Sequence, residues 1–288
     1  MERVRRVASY DSDRLCRPVI RNLYLQSVKR ETHYVRMKGG RLLDLTPKVK
    51  FLGMTFDLTV IIGSVVAAIL VFLLVTALTR KLTIRPSGKQ NVMEYVIDFI
   101  SGITGIMMEK KESYKYISFA LTTFLFIMIS NLLGVIVIVT AEVAGPIPQL
   151  GITADMLKST HEVSWFKSPT SDLNVTVAMA GAVLIYSHFA GVVKHPGTYV
   201  KDYFKPYAWM LPFNIIDELA KPVTHAARLW ANIFAGEVLI LILRQGTLYL
   251  TALPLAAWMG FSVFVGVIQA YIFTVLAMVY IGQKVSAE

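Results

Sequence analysis

Charged side chains are scarce in this sequence. They make up 17% of 288 residues, where a soluble domain usually carries about a quarter. The deficit is concentrated in long apolar runs. With 55% hydrophobic residues and a mean hydropathy of +0.56, it excludes an ordinary soluble domain and defines a polytopic membrane protein. Cysteine is nearly absent: the single Cys16 excludes an intramolecular disulfide and a cysteine-rich metal site. The five histidines are scattered without ligand spacing. There is no internal repeat, no GxGxxG turn and no Gly-x-x-x-x-Gly-Lys phosphate loop, so no nucleotide or other cofactor is expected to bind. No nucleophile–base set emerges either, which leaves an enzyme as the weakest reading.

The net charge of +10 is unevenly placed. Residues 1–50 carry 13 Lys/Arg against 5 Asp/Glu, whereas residues 51–288 carry 16 against 14. The basic excess therefore belongs to a tail, which lacks an apolar core long enough for a signal peptide. Residues 1–50 are expected to be a poorly ordered basic extension, with Met37 an alternative start, and residues 51–288 a single transmembrane domain. Binding of nucleic acid by the tail is not the favoured reading.

Apolar runs define five expected crossings of an all-α polytopic protein, at about 58–78, 116–139, 173–193, 211–243 and 249–282. Leu58–Leu78 has no charge and is long enough for roughly 30 Å of hydrocarbon. The last two exceed the ~20 residues of a perpendicular crossing, which calls for tilt, a kink or a path partly along the membrane. Residues 88–109 read as a weakly amphipathic helix on the cytoplasmic side. Lys/Arg clusters follow the first span, precede the second and follow the third, and Lys284 closes the last. These junctions are expected to be cytoplasmic, with the loop 141–171 outside. Five crossings then put the N-terminus outside and the C-terminus inside.

The segment Leu211–Leu243 is the most informative. It places Asp217, Glu218, Lys221, Arg228 and Glu237 among apolar residues. Charges at membrane depth are expensive, and an ion path or a partner charge is their default explanation. At about 100° per residue, Asn214, Asp217, Lys221 and Asn232 all fall within about 40° of Arg228 on a helix. Ala231 and Ala235 flank that face and would let a neighbouring helix approach. Glu218 lies at its edge, and Glu237 lies on the opposite side. Pro222 removes one helical hydrogen bond between the acids and Arg228.

Arginine suits a particular task, because its guanidinium stays charged and can attract a carboxylate without releasing a proton of its own. Asp217, Glu218 and Glu237 can titrate. By the topology above, the order is inner acids, a central arginine, then an outer acid. For Lys221, a plain salt bridge to Asp217, four residues away, stands as an equal reading. Arg228 has no acid three or four residues away on either side. His225 reads as a polar packing residue, and Asn131, Asn174 and His188 as interhelical hydrogen-bonding groups. On the last helix Thr251, Trp258 and Ser262 fall within about 20° of Gln269, with Gly266 beside them. Gln269 could orient Arg228, line an aqueous cavity, or make an ordinary interhelical contact.

Arg228-Leu229, Asn232 and Ala235-Gly236-Glu237 resemble the signature of subunit a from the membrane sector of bacterial F-type ATP synthases. Residues Ile268 to Thr274 (IQAYIFT), Ser168 to Thr176 (SPTSDLNVT), Phe51-Leu52-Gly53 and Arg85 to Asn91 (RPSGKQN) fit the same family in order and spacing. The resemblance runs from about residue 50 to the end. It implies a non-catalytic stator subunit beside a rotating ring of small hairpin subunits, with ATP chemistry on partners. It also implies a peripheral-stalk membrane subunit as a partner, and a place in the bacterial plasma membrane. Arg228 would face the ring carboxylate with Gln269 as its neighbour. Glu237 would serve the outer half-channel, and Glu218 with Asp217 the inner one. Asn232 matches the polar residue one turn beyond the arginine. With Lys221 and Ser262 on the same faces, these are the expected ion-translocation residues. Protons are the expected ion.

The sequence departs from the family pattern around the arginine, where Trp230 and Ala231 replace a smaller aromatic and a glycine. Some relatives also carry an acid just after Asn131, where this chain has Leu132-Leu133-Gly134, so the outer path is expected to lean on Glu237. An ion-coupled secondary transporter should show paired repeats and a substrate site. A purely structural membrane subunit would need no mid-span arginine.

Overall fold

The computed structural model describes residues 46–51, 54–80, 83–84, 88–137, 139–143, 145–147, 150, 152, 162–197, 199, 204, 207–244 and 248–285. The basic extension expected over residues 1–50 lies, apart from 46–50, outside the described residues. Among the described residues, two short antiparallel strand pairs accompany six long helices. Strands β1 (Lys48–Phe51) and β2 (Met54–Asp57) pair with each other and lead directly into α1 (Leu58–Thr79). Asp57 starts that helix because its carboxylate accepts from the Thr59 backbone N–H at 3.0 Å and from the Thr59 hydroxyl at 2.6 Å. One of the orphan donors at the helix start is thereby satisfied.

Gly88, at φ 60°, opens α2 (Lys89–Met107) in a backbone region that side chains avoid. Helix α3 (Lys110–Ile136) begins six residues before the expected span and so takes in its flanking lysines. It also stops short of Val139. The β-branched run there enters β3 (Val139–Glu142), which pairs with β4 (Glu162–Phe166) in what the sequence suggested was a loop. A single 3-10 turn, Pro169–Ser171, precedes α4 (Leu173–Lys194), whose N-cap Asp172 accepts from the N–H of Asn174 and Val175. Helices α5 (Leu211–Arg244) and α6 (Leu248–Val285) have 34 and 38 residues. At 1.5 Å per residue they are about 51 and 57 Å long.

Among the described residues four helices are long and apolar enough to cross a membrane: α1, α3 from Lys111, α4, and α6 from Thr251. Helix α5, with 34 residues, is long enough but is not in that group. The protein is thus a helical multi-pass membrane protein. Ile61, Ile62, Val65, Ile69, Phe72 and Leu73 leave α1 with a broad exposed apolar surface, suited to lipid or to another apolar partner.

Helix α6 packs on α3, α4 and α5. The shared core contains Phe124 and Ile127 from α3, Val183 from α4, Leu229 and Ile233 from α5, and Ala270, Phe273 and Met278 from α6. Lipid is as apolar as such a core, so close packing and interhelical hydrogen bonds hold the helices together. The strongest set of these bonds lies where the 3-10 turn is wedged among the helices. Asn131 donates to the Gly266 carbonyl at 2.9 Å and accepts from the Thr170 hydroxyl at 2.7 Å. Ser168 donates to the Ser130 carbonyl at 2.9 Å and shares a 2.8 Å hydrogen bond with Thr170. All of these side chains are fully buried. Asn131 is therefore an interhelical tie, as expected. Gly134 is required beside it, because a Cβ there would lie 2.5 Å from the Ser168 Cβ.

Candidate functional site

Helix α5 carries polar groups in three zones along its length. Near its start, Glu218 is the hub of an ionic cluster contributed by three helices. Its Oε2 accepts from Lys284 of α6 at 2.9 Å and from Lys221, one turn on, at 3.3 Å. Its Oε1 lies 3.7 Å from His188 Nε2 of α4. Lys221 also reaches Asp217 at 3.4 Å and donates to the Gln283 side chain at 3.2 Å. Asp217 is 72% exposed, whereas Glu218, Lys221 and Lys284 are each below 20%. The helical pair Lys221–Asp217 thus exists, within a larger cluster. The sequence indicated neither His188 nor Lys284 as a partner. Their only signals were a histidine in an apolar span and a basic helix end, and they reach Glu218 across long chain separations. Pro222, inside α5, has no N–H to give the Glu218 carbonyl.

Ten residues beyond Glu218, about 15 Å along the axis, Arg228 lies on an exposed face with Ala227, Ala231, Asn232 and Ala235. Leu219 and Val223, nearer the helix start, are exposed apolar residues on other sides of the helix. Among the described residues Arg228 has no ion-pair or hydrogen-bond partner. Behind it, the buried Ala226 and Leu229 turn into the core. His225 is buried against Phe273, with ring centroids 3.7 Å apart, and against Tyr280 at 5.6 Å. This matches the packing role expected of it.

The third zone lies about 14 Å beyond Arg228, around Glu237. A cavity of about 160 Å³ opens between α3, α5 and α6, and its lining includes Gly134, Asn232, Glu237, Trp258 and Ser262. Asn232 donates to Gln269 Oε1 at 2.9 Å, so the α6 amide engages Asn232 and not the guanidinium. The Trp258 indole donates to the Gly236 carbonyl at 3.3 Å. Ser262 Oγ and Gln269 Nε2 are buried with no hydrogen-bond partner among the described residues. Such groups are costly in a dry interior and suit a place where water can enter. Gly134 again decides the fit, since a Cβ there would stand 3.2 Å from Glu237 Oε1.

The structure therefore brings Asp217, Glu218 and Lys221 together at one end. It joins Asn232 to Gln269 in the middle and gathers Asn232, Glu237 and Ser262 around one cavity. Asn174, once considered an interhelical group, is exposed. Among the described residues no group of three or more histidines, cysteines or acids is placed to hold a metal.

A helical multi-pass membrane protein with an open arginine between two polar zones belongs to the class that moves ions across a bilayer. A sequence profile of the ATP synthase A chain family matches residues 60–282. The chain is 38% identical over 251 residues to the ATP synthase subunit a of Priestia megaterium, covering 84% of this chain and 98% of that one. It is 38% identical over 256 residues to the subunit a of Bacillus subtilis, with 83% and 97% covered. Against that of Lysinibacillus sphaericus it is 39% identical over 242 residues, with 82% and 94% covered. The chain belongs to the ATP synthase A chain family, as a bacterial membrane-embedded subunit with a role in proton transport.

Proposed function

We propose that this chain is the stator channel of a rotary F-type ATP synthase, carrying protons to and from a ring of small carboxylate-bearing subunits. Helix α5 makes a fifth, tilted crossing, and residues 51–288 act as one transmembrane domain, with the basic residues 1–50 outside it. The C-terminus and the Glu218 cluster face the cytoplasm; the hairpins and the Glu237 cavity face outward. The amphipathic α2 lies along the cytoplasmic side, and a peripheral-stalk membrane subunit completes the stator.

Arg228, exposed and unpaired among the described residues, is the observation that carries this reading. A lone guanidinium at the centre of a membrane helix costs roughly 2.5–3.5 kcal/mol on insertion scales, and a carboxylate on a facing helix would offset that cost. At about 4 Å and an effective dielectric constant near 20, the pair attracts by about 4 kcal/mol. That is enough to lower the proton affinity of the facing carboxyl about 1000-fold. A protonated ring carboxyl arriving at Arg228 is thus driven to release its proton, and the fixed positive charge blocks direct passage of a cation past it.

The Glu237 cavity, with Ser262 and the Asn232–Gln269 pair, forms the outer half-channel. Asp217, Glu218 and Lys221 line the inner one. Because Arg228 separates the two zones by about 15 Å on each side, protons cross only by riding the ring. The proton is the working ion, with the choice over sodium residing in the ring carboxylate site of another chain.

The test is ATP-driven acidification of membrane vesicles that carry the assembled complex, comparing wild type with Arg228→Ala. Pumping lost with assembly and ATPase activity intact is the expected result. Retained pumping would sink the role of Arg228 and leave a structural subunit as the better reading.

A further inference from the structure

Glu218 has a curious environment for a proton-carrying acid. Two ammonium groups, those of Lys284 and Lys221, converge on the same oxygen, Oε2, at 2.9 and 3.3 Å. Charge-assisted hydrogen bonds of that kind favour the ionised carboxylate, so Glu218 is poorly placed to pick up and release protons itself. Its other oxygen, Oε1, faces His188 Nε2 at 3.7 Å.

The orientation of that imidazole is fixed from behind. His188 Nδ1 lies 3.0 Å from the Leu184 carbonyl. A carbonyl can only accept, so Nδ1 carries a hydrogen and donates it. Nε2 is then the nitrogen that gains or loses a proton, and it is the one aimed at Glu218. In the neutral ring a lone pair faces a carboxylate oxygen. A single added proton turns that opposition into a charge-assisted pair. Lys221 and Lys284 oppose the imidazolium, whereas Glu218 favours it. The Tyr199 ring packs edge-on against the imidazole, with centroids 6.2 Å apart. His188 is one-third exposed.

We infer that His188 is the proton-exchanging group of the inner half-channel, with Glu218 as the ionised residue that positions it. The inference rests on the channel function proposed above and names which side chain changes charge at its inner end. In the ATP-driven direction a proton passes from cytoplasmic water to Nε2, forming the imidazolium. It then leaves Nε2 through water to the ring carboxylate waiting beyond Arg228. The ring returns to its neutral form with Nδ1–H unchanged throughout.

The decisive experiment uses inverted vesicles carrying the complete complex, in which the bath contacts the cytoplasmic face. The proton-pumping rate, divided by the ATPase rate at each pH, is recorded from acid to alkaline bath pH. Wild type is expected to show one titration step within this range. His188→Gln is expected to pump about 10-fold or more slowly near pH 7 and to lose that step. As a second arm, His188→Ala vesicles receive imidazole in the bath, and recovery of pumping is expected. This arm decides the matter if the Gln variant assembles poorly. An unchanged rate and pH profile in His188→Gln, or no recovery with imidazole, would overturn the assignment. Arg228→Ala is run alongside. Its failure to pump beside a normal His188→Gln sinks only the imidazole, whereas normal pumping in Arg228→Ala sinks the channel reading underneath it.

Discussion

The two ends of α5 handle polarity in opposite ways. Around Glu218 the chain compensates charge with charge: a carboxylate, two ammonium groups and an imidazole from three helices meet within 3.7 Å contacts. Around Glu237 it leaves room, with a cavity of about 160 Å³ bordered mainly by apolar residues and a few single polar groups. A crowded ionic cluster is held by attraction and tolerates few changes of protonation at once. A cavity relies on solvent and so tolerates substitutions that keep it open. Ion access at the first end should thus depend on which side chain titrates, and at the second on whether space survives.

Filling the space is the most damaging way to break that contrast. Gly134→Leu forces a side chain into Ser168 and toward Glu237, where even a Cβ has only 2.5 and 3.2 Å. Overpacking of this kind costs about 1–3 kcal/mol, or more when backbone must move. The amount of assembled complex in membranes should fall several-fold, and pumping with it. A smaller but sharper effect is expected from Glu237→Gln, which keeps the volume and removes the charge. Pumping per ATP should fall about 10-fold or more with assembly unchanged; a normal rate would mean that cavity water alone serves the outer end.

Asn131→Ala removes the bonds to the Thr170 hydroxyl, which keeps Ser168 as a partner, and to the Gly266 carbonyl. Each lost bond costs about 0.5–1.5 kcal/mol, so the complex should dissociate at lower temperature or detergent concentration while retaining some pumping. The smallest effect belongs to Asp217→Asn. Its carboxylate is 72% exposed, and an exposed helical ion pair contributes about 0.3–0.5 kcal/mol. A change in pumping under about 2-fold is expected, and a large loss would show that the inner end depends on Asp217 as well as on the Glu218 cluster.

What could be read from the sequence follows distance along the chain. The stripe of Asp217, Lys221, Arg228 and Asn232 is a matter of helical periodicity, and it was legible without any fold. So were the pairing of Lys221 with Asp217 and the lengths of the last two helices, whose ends shift by only a few residues. The β3–β4 hairpin was hidden because its strands are four and five residues long and separated by a stretch rich in proline and polar residues. The links from Glu218 to His188 and Lys284 were hidden for another reason. They join residues 30 and 66 positions apart, and only the packing of α4 and α6 against α5 brings them within reach. Gln269 was assigned to the right neighbourhood, but its hydrogen bond goes to Asn232 because the guanidinium points out from the bundle.

The wedge formed by Pro169–Ser171 also has a mechanical meaning. Under the proposed function, a stator must hold still while a rotor is dragged past its open face, so torque would reach α5 as a sideways push. Hydrogen bonds from Ser168 and Thr170 to α3, and from Asn131 onward to α6, tie the outer ends of the helices into one cross-braced frame. Bending one helix there means shearing the others. If a ring turns against α5 as proposed, the mouth of the Glu237 cavity would keep its width through a full revolution, with the bracing set on the side of the bundle where α5 has only a short connection to α6.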